Sequence, residues 1–444
     1  MTLKEEFKKI YTNRPTREER KAARAAAAPT EKRRAYPKDN KYKIALIVMG
    51  IFEVVFLCAL VLVDALPNDL TFILVAMTLG LVVLTSMLFA SRYKWKRIVG
   101  IVLAVLFVLI SSMTTGFMTS TYAMLNKISS AGLNATGPKS DPVDVTREPF
   151  NIYITGIDQW EKDKGMDLER SDVNMIVTIN PVTKKILMTS IPRDSYVKLH
   201  TAQAMDKLTH TGIYGVDETL NTVEDWLDVD INYYVKMNFS GARDIINAIG
   251  GIKVYSPVDF ESDLKGYKYH KGWNKLSGKE ALYFARERHA FEGQDSQRVE
   301  NQQRVMEAVI KKMTSSPTLL MNYGDVMDAA GNNVETNMSA KEMQALVKMQ
   351  VSDLASWDME SQKIEGEYDQ DYVASLTQSQ KFDVYRPNEK SVKKCMKGVE
   401  EIQNPSKAEL EEARRSRSKS FFVNLIKNSS KDDKSDKSEK QKNK

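Results

Sequence analysis

Residues 170–194 read RSDVNMIVTINPVTKKILMTSIPRD, and this stretch decides how the chain is built. Two apolar, β-rich runs, Val173–Ile179 and Lys185–Ile191, flank Asn180-Pro181-Val182-Thr183, a turn sequence, so the segment predicts a β-hairpin. Folded about Pro181 and Val182, register counting sets Asp172 across from Ile191 and Arg170 across from Arg193. One carboxylate and two guanidiniums then share a sheet edge. That arrangement suits a phosphate, or a metal and a phosphate, held between them.

Working outward, Phe150–Thr155 predicts a short strand ending at Gly156-Ile157-Asp158. Downstream, Asp217–Leu227 predicts a helix with Leu220, Val223, Trp226 and Leu227 on one face. Tyr233–Met237 reads as a strand, Ser240–Ile249 as a helix stopped by Gly250-Gly251, and Ile252–Tyr255 as a further strand. Ser277 is placed to cap a helix over Gly278–Phe284, and Ser296–Met313 is a longer amphipathic helix. Strands alternating with helices imply an α/β fold, an α/β/α layered domain with a central mixed sheet, over residues 148–405.

Ahead of that domain, Ile44–Leu66, Leu70–Ala90 and Ile98–Met118 are apolar and long enough to cross roughly 30 Å of hydrocarbon, which predicts three transmembrane helices over residues 44–118. Residues 1–43 and the loop Ser91–Arg97 are rich in Lys and Arg, whereas Asp64–Asp69 has no positive charge. The positive-inside rule therefore places the N-terminus in the cytoplasm and everything after residue 118 outside the cell, on a multi-pass plasma-membrane protein. Some forty polar residues before the first span argue against a cleaved signal peptide. The basic segment 1–43 fits a tether on anionic lipid heads or a disordered arm. Residues 119–147 read as a stalk and 406–444 as a charged, largely disordered tail. Glu53, inside the first span, either pairs with another helix or stays protonated. Two cysteines, Cys58 and Cys395, build no disulfide framework, and the net charge of +6 without a recognition helix or zinc spacing argues against nucleic acid as a partner.

The chemistry-bearing residues gather at strand ends. Asp158 and Asp172 suit a hard cation such as Mg²⁺, with Mn²⁺ as the alternative, which takes its remaining ligands from water and phosphate. The bland reading, that each Asp caps a turn or pairs with an Arg, stays open on spacing alone. In an extended segment, Arg286 and Arg288 point the same way. Arg298 and Gln302 lie one helical turn apart, so Arg170, Arg193, Arg286, Arg288 and Arg298 can surround a pyrophosphate, or each can end in a surface ion pair. The four histidines lack metal-ligand spacing, Ser195 lacks a nucleophile-elbow context, and no Walker sequence occurs.

An ordered series of motifs then becomes recognisable: Arg170-Ser171-Asp172, Ile191-Pro192-Arg193-Asp194, Asp206-Lys207-Leu208-Thr209-His210, Asn238-Phe239, Gly250-Gly251-Ile252, Leu276 through Leu282, Arg286-Glu287-Arg288, and Asp295 through Arg298 to Gln302-Gln303. Over 148–405 the chain resembles the LytR–CpsA–Psr family of cell-envelope phosphotransferases, and its three-span anchor looks like the CpsA-type arrangement. The resemblance implies a polyprenyl-linked glycan donor whose lipid lies in a tunnel between sheet and helices, and a peptidoglycan acceptor. It implies Asp158 and Asp172 as Mg²⁺ ligands, and Arg170, Arg193, Lys207, Arg286, Arg288, Arg298 and Gln302 as phosphate contacts, with Asp172, Arg170 and Arg193 at the reacting centre. Trp160 stands where many members have an arginine, so no phosphate contact is expected there. The implied activity is a Mg²⁺-dependent transfer of capsule or teichoic-acid-like polymer in a Gram-positive-type envelope. The alternatives are a non-catalytic polyprenyl-phosphate-binding regulator and a polyprenyl-pyrophosphate phosphatase.

Overall fold

The computed structural model describes residues 17–18, 21, 40–63, 68–132, 143–157, 171–263, 266–287, 294–314, 323–331, 333–353, 356–376 and 379–417. Three helices come first, α1 (Asn40–Val63), α2 (Asn68–Ala90) and α3 (Lys94–Gly132), and each is long and apolar enough to cross a membrane. Glu53 of α1 accepts a hydrogen bond from Thr78 Oγ1 of α2 at 2.7 Å, so the buried carboxyl pairs with a neighbouring helix. The expected stalk needs correcting, because α3 continues through Gly132 as one 39-residue helix. Its far end packs against the domain that follows, and that packing keeps the polar 119–132 stretch helical.

A six-stranded sheet forms the centre of that domain. Its strands are β1 (Phe150–Ile157), β2 (Ser171–Asn180), β3 (Lys185–Ile191), β6 (Tyr233–Asn238), β11 (Val334–Thr336) and β12 (Asp358–Lys363), in the order β11-β6-β1-β2-β3-β12. The sheet is mixed: β1 runs antiparallel to β2 but parallel to β6, and β3 runs antiparallel to β2 but parallel to β12. Met175–Thr178 is buried on both faces, as a central strand covered by helices on either side must be.

One face is closed by α4 (Val216–Leu227) and α10 (Glu389–Gln403), where Tyr153, Ile176 and Tyr234 meet Leu220, Val223, Leu227 and Cys395. The other face carries Met175, Val177, Ile186 and Met188 against Met306 and Ile310 of α7 (Gln294–Thr314). Beyond α7 lie α5 (Phe239–Ala248), capped by Asn238 through Gly241 N, and α6 (Gly278–Arg286), which starts in a Ser277–Glu280 capping box. A Cβ on Gly278 would fall 2.1 Å from the Arg243 carbonyl oxygen, so only glycine lets α6 start this close to α5. A small two-stranded sheet of β7 (Ile252–Ser256) and β10 (Gly272–Leu276), with α8 (Tyr323–Gly331), covers the outer side of these helices. The short pairs β4 (Tyr196–Lys198) with β5 (Met205–Lys207) and β8 (Phe260–Glu261) with β9 (Lys268–Tyr269), and helix α9 (Ala340–Asp353), belong to the same domain.

The hairpin is present, but with a register two residues away from the counted one. Asn174, not Asp172, faces Ile191, and Asn180 faces Lys185 across a four-residue turn that includes Lys184 at φ 58°. Asn180 Oδ1 accepts from Val182 N and Thr183 N and so sets the longer turn. The tail also begins as structure. Lys407–Arg417 is a helix, α11, held to the start of β3 by Lys185 Nζ on Glu409 Oε1 at 2.7 Å, which lowers the Glu409 carboxyl to about 2. Residues 418–444, like 1–16, lie outside the described residues.

Candidate active site

The two-residue shift in register brings Asp172 opposite Arg193. Arg193 Nη1 donates to Asp172 Oδ1 at 2.6 Å, and its Nε reaches Asp194 Oδ2 at 3.3 Å. Lys207 Nζ lies 3.4 Å from the other Asp194 oxygen, so Asp172, Arg193, Asp194 and Lys207 form one line of alternating charge. All four side chains are mostly buried, at 14–25% exposure, where ion pairs are less screened than on an open surface. The Ile191-Pro192-Arg193-Asp194 corner is held by Ser195 N and Oγ, which both donate to Pro192 O. The segment after Lys207 is clipped to the same corner through Leu208 N on Ser195 O and Thr209 N on Arg193 O. Asp194 was not among the expected contacts, although it stands inside the motif that carries Arg193.

Beneath Lys207, the fully buried Asp206 accepts from Lys207 N, from Ser375 N and from the ring of His210, each at 2.7 Å. Burial alone would raise this carboxyl, but the hydrogen bonds from His210, Ser375 and the Lys207 amide outweigh it and hold the group below its ordinary value. Ser375 Oγ and Asp206 both meet the same ring nitrogen of His210, so the three do not form a nucleophilic relay.

The β1–β2 ladder contains a bulge on β2 at this point. Gly156 faces Val173 and Ile157 faces Ser171, so Asp172 is the extra, bulged residue. The bulge turns the Asp172 carboxylate out at the strand end.

An apolar cavity of about 800 Å³, counting its open mouth, lies on the other side of the strand ends. Ile154, Gly156 and Val173 of the sheet form its floor, α5, α6 and α7 its walls, and Arg286 and Gln302 are among its few polar groups. The Arg286 guanidinium sits 4.9 Å over the ring of Phe239, the first residue of α5. Phe239 and Arg243, a second arginine on the wall, were not expected contacts. The Asn238-Phe239 motif was the available signal for the first.

The structure therefore brings Asp172, Arg193 and Lys207 together and sets Arg286 and Gln302 on the cavity. Arg298 is buried one turn before Gln302 on α7. Arg286 closes a helix instead of lying in an extended segment, so the alternation expected for Arg286 and Arg288 does not apply. Asp158, Arg170 and Arg288 lie outside the described residues. Among the described residues, no group of three or more His, Cys, Asp or Glu gathers as a metal cluster. Of the two carboxylates expected to hold a divalent cation, only Asp172 is among the described residues, and its oxygen donors are of the kind a hard cation takes. Asp172 supplies a strand-end carboxylate, and Asp158 directly follows Ile157, whose register partner is Ser171.

The described residues thus form a layered α/β domain behind three helices long and apolar enough to cross a membrane, with an apolar cavity whose lining includes Arg243 and Arg286. The chain belongs to the LytR_cpsA_psr family, whose model matches residues 115–400. It is 33% identical over 261 residues to the Bacillus licheniformis polyisoprenyl-teichoic acid–peptidoglycan teichoic acid transferase TagU, covering 57% of this chain and 82% of that protein. It is 39% identical over 197 residues to the protein of the same name from Bacillus anthracis, covering 44% of this chain and 63% of that one, a little under two thirds of its length. Among solved structures, protein gbs0355 from Streptococcus agalactiae matches with a TM-score of 0.50 at 26% identity, over 61% of this chain and 93% of that one. The chain is an enzyme of a transferase family.

Proposed function

We propose that this chain transfers a glycopolymer, carried as a polyprenyl-linked (pyro)phosphate, onto a peptidoglycan hydroxyl on the outer side of the membrane. The observation that carries this reading is the apolar cavity bearing Arg286 and Gln302 beside strand ends that carry Asp172 and Arg193. A prenyl chain has no polar atoms to satisfy, and the cavity offers it an apolar lining between sheet and helices. Its head group meets the guanidinium forks of Arg193 and Arg286, with Lys207, Arg298 and Gln302 alongside, and with Arg170 and Arg288 expected from the sequence.

In the reaction, the acceptor oxygen bonds to the phosphorus nearest the sugar and the bond to the lipid phosphate breaks. Polyprenyl phosphate leaves, and the acceptor's proton is lost to solvent. Positioned cations stabilise the charge that builds on the phosphate oxygens. Mg²⁺, or Mn²⁺, held by Asp158 and Asp172 would supply further positive charge at those oxygens. Arg193 keeps the Asp172 carboxylate in one orientation through its 2.6 Å bond, and Asp194 holds Arg193 and Lys207 apart at fixed spacing. Capsular or teichoic-acid-like polymer in a Gram-positive-type envelope fits this chemistry, because a lipid-linked donor needs no ATP outside the cell.

The test is to incubate the full chain in nanodiscs with lipid-linked glycan, a peptidoglycan oligomer and Mg²⁺, and to detect the linked product. Transfer should fall about 10²–10³-fold in Asp172→Ala. Transfer that survives both this substitution and removal of divalent metal would sink the mechanism, and hydrolysis without transfer would make the enzyme a phosphatase.

A further inference from the structure

The closed face of the sheet contains a group of polar side chains among apolar neighbours. Tyr153, Thr155, Ser171 and Asn174 are each at most 5% exposed. Tyr153 Oη donates to Asn174 Oδ1 at 2.6 Å, and Ser171 Oγ donates to the same oxygen. Thr155 Oγ1 and Ser171 Oγ lie 2.6 Å apart, and Asn174 Nδ2 donates to the Ser171 carbonyl oxygen at 3.1 Å. Burying four polar side chains in a core gains little over apolar residues of the same shape, so their presence calls for a reason.

Their placement supplies it. The bond from Asn174 Nδ2 to Ser171 O closes over Asp172 and Val173, across the bulge that leaves Asp172 without a partner on β1. Only an amide serves here. Its oxygen accepts from two hydroxyls while its nitrogen holds the Ser171 carbonyl, which neither a carboxylate nor an apolar group can do. Thr155 ties the same Ser171 to β1, the strand that runs out toward Asp158.

We infer that Asn174 is a positioning residue, which with Tyr153, Ser171 and Thr155 locks the bulge and aims the Asp172 carboxylate at Arg193 and the reacting phosphate. This rests on the transfer reading of the site. A carboxylate displaced by about 1 Å costs on the order of 10²-fold in rate, whereas donor binding is set by the cavity on the opposite face.

Single-turnover transfer by the full chain in nanodiscs tests this, using lipid-linked glycan and peptidoglycan oligomer with enzyme in excess. Asn174→Ala should lower the rate constant about 10–100-fold, while the enzyme concentration that half-saturates the donor changes less than about twofold. Placed in an Asp172→Ala background, the same substitution should cause almost no further loss, because the group it aims is gone. Tyr153→Phe removes one bond but spares the link to Ser171 O, so it should show the same pattern on a several-fold scale. It keeps the test open if Asn174→Ala folds poorly. Losses that multiply in the double variants, or a wild-type rate in Asn174→Ala, overturn the inference while leaving the site reading intact. Full activity in Asp172→Ala overturns the site reading itself.

Discussion

The two faces of the central sheet use the same kinds of residue and do opposite things. On one, Tyr153, Ile176 and Tyr234 are covered completely by α4 and α10. On the other, Ile154 and Val173 form part of the floor of an apolar cavity that α5, α6 and α7 surround without filling. The difference does not come from hydropathy, since both faces are mainly apolar. It comes from how far the helices stand off, and that distance is set by close contacts such as Gly278 against the Arg243 carbonyl and by α7 leaning on Met175 and Val177 through Met306 and Ile310. A filled face contributes stability, and an unfilled one contributes a binding site.

Four substitutions break or sharpen this contrast. Leu220, fully buried on the closed face, should cost about 3 kcal/mol when cut to Ala, within the 2–5 kcal/mol seen for buried leucines, with transfer per folded molecule little changed; urea unfolding set beside the transfer assay reads both. Asp206→Asn, beneath the charged line on the closed side, should cost about 2 kcal/mol by weakening charge-assisted hydrogen bonds. Because folding lowers the Asp206 carboxyl, its contribution is complete above the unfolded value near 4 and fades as pH falls through the lower folded value. Urea midpoints measured from pH 6 down to pH 2 should therefore converge for wild type and Asp206→Asn at the acid end. Ala285→Trp on the open face should raise the donor half-saturation roughly tenfold while leaving the melting temperature nearly unchanged, because the ring enters empty space. A large loss of stability there would show the cavity to be closed in solution. Glu409→Gln, at the start of β3, should cost no more than about 1 kcal/mol by urea unfolding, as exposed ion pairs do.

Much of the layered fold was legible in the chain. Helix faces such as Leu220, Val223 and Leu227 announce themselves by period, and Ser277-Gly278-Lys279-Glu280 announces a capped start. The hairpin register was not legible, for a specific reason. Side chains alternate with period two, so a slip of two residues keeps every apolar group on its face, and only the turn length chooses between the alternatives. Asn180 chooses the longer turn through its own side chain. The site was legible as a list of residues but not as a grouping. Arg193 and Asp172 were both expected, an Asp–Arg pair was only an open alternative without a named partner, and Asp194 and Phe239 entered only with the folded corner and the folded wall.

Composition and periodicity by themselves determined three membrane-length helices, a mixed α/β domain and a set of cations placed near strand ends. They could do so because apolar length and alternation are local properties. Tertiary structure alone decided the rest: α3 running on past the expected stalk, the bulge at Asp172, and the space left under α5 to α7. Each of these depends on distances between segments far apart in the chain, which no local pattern encodes.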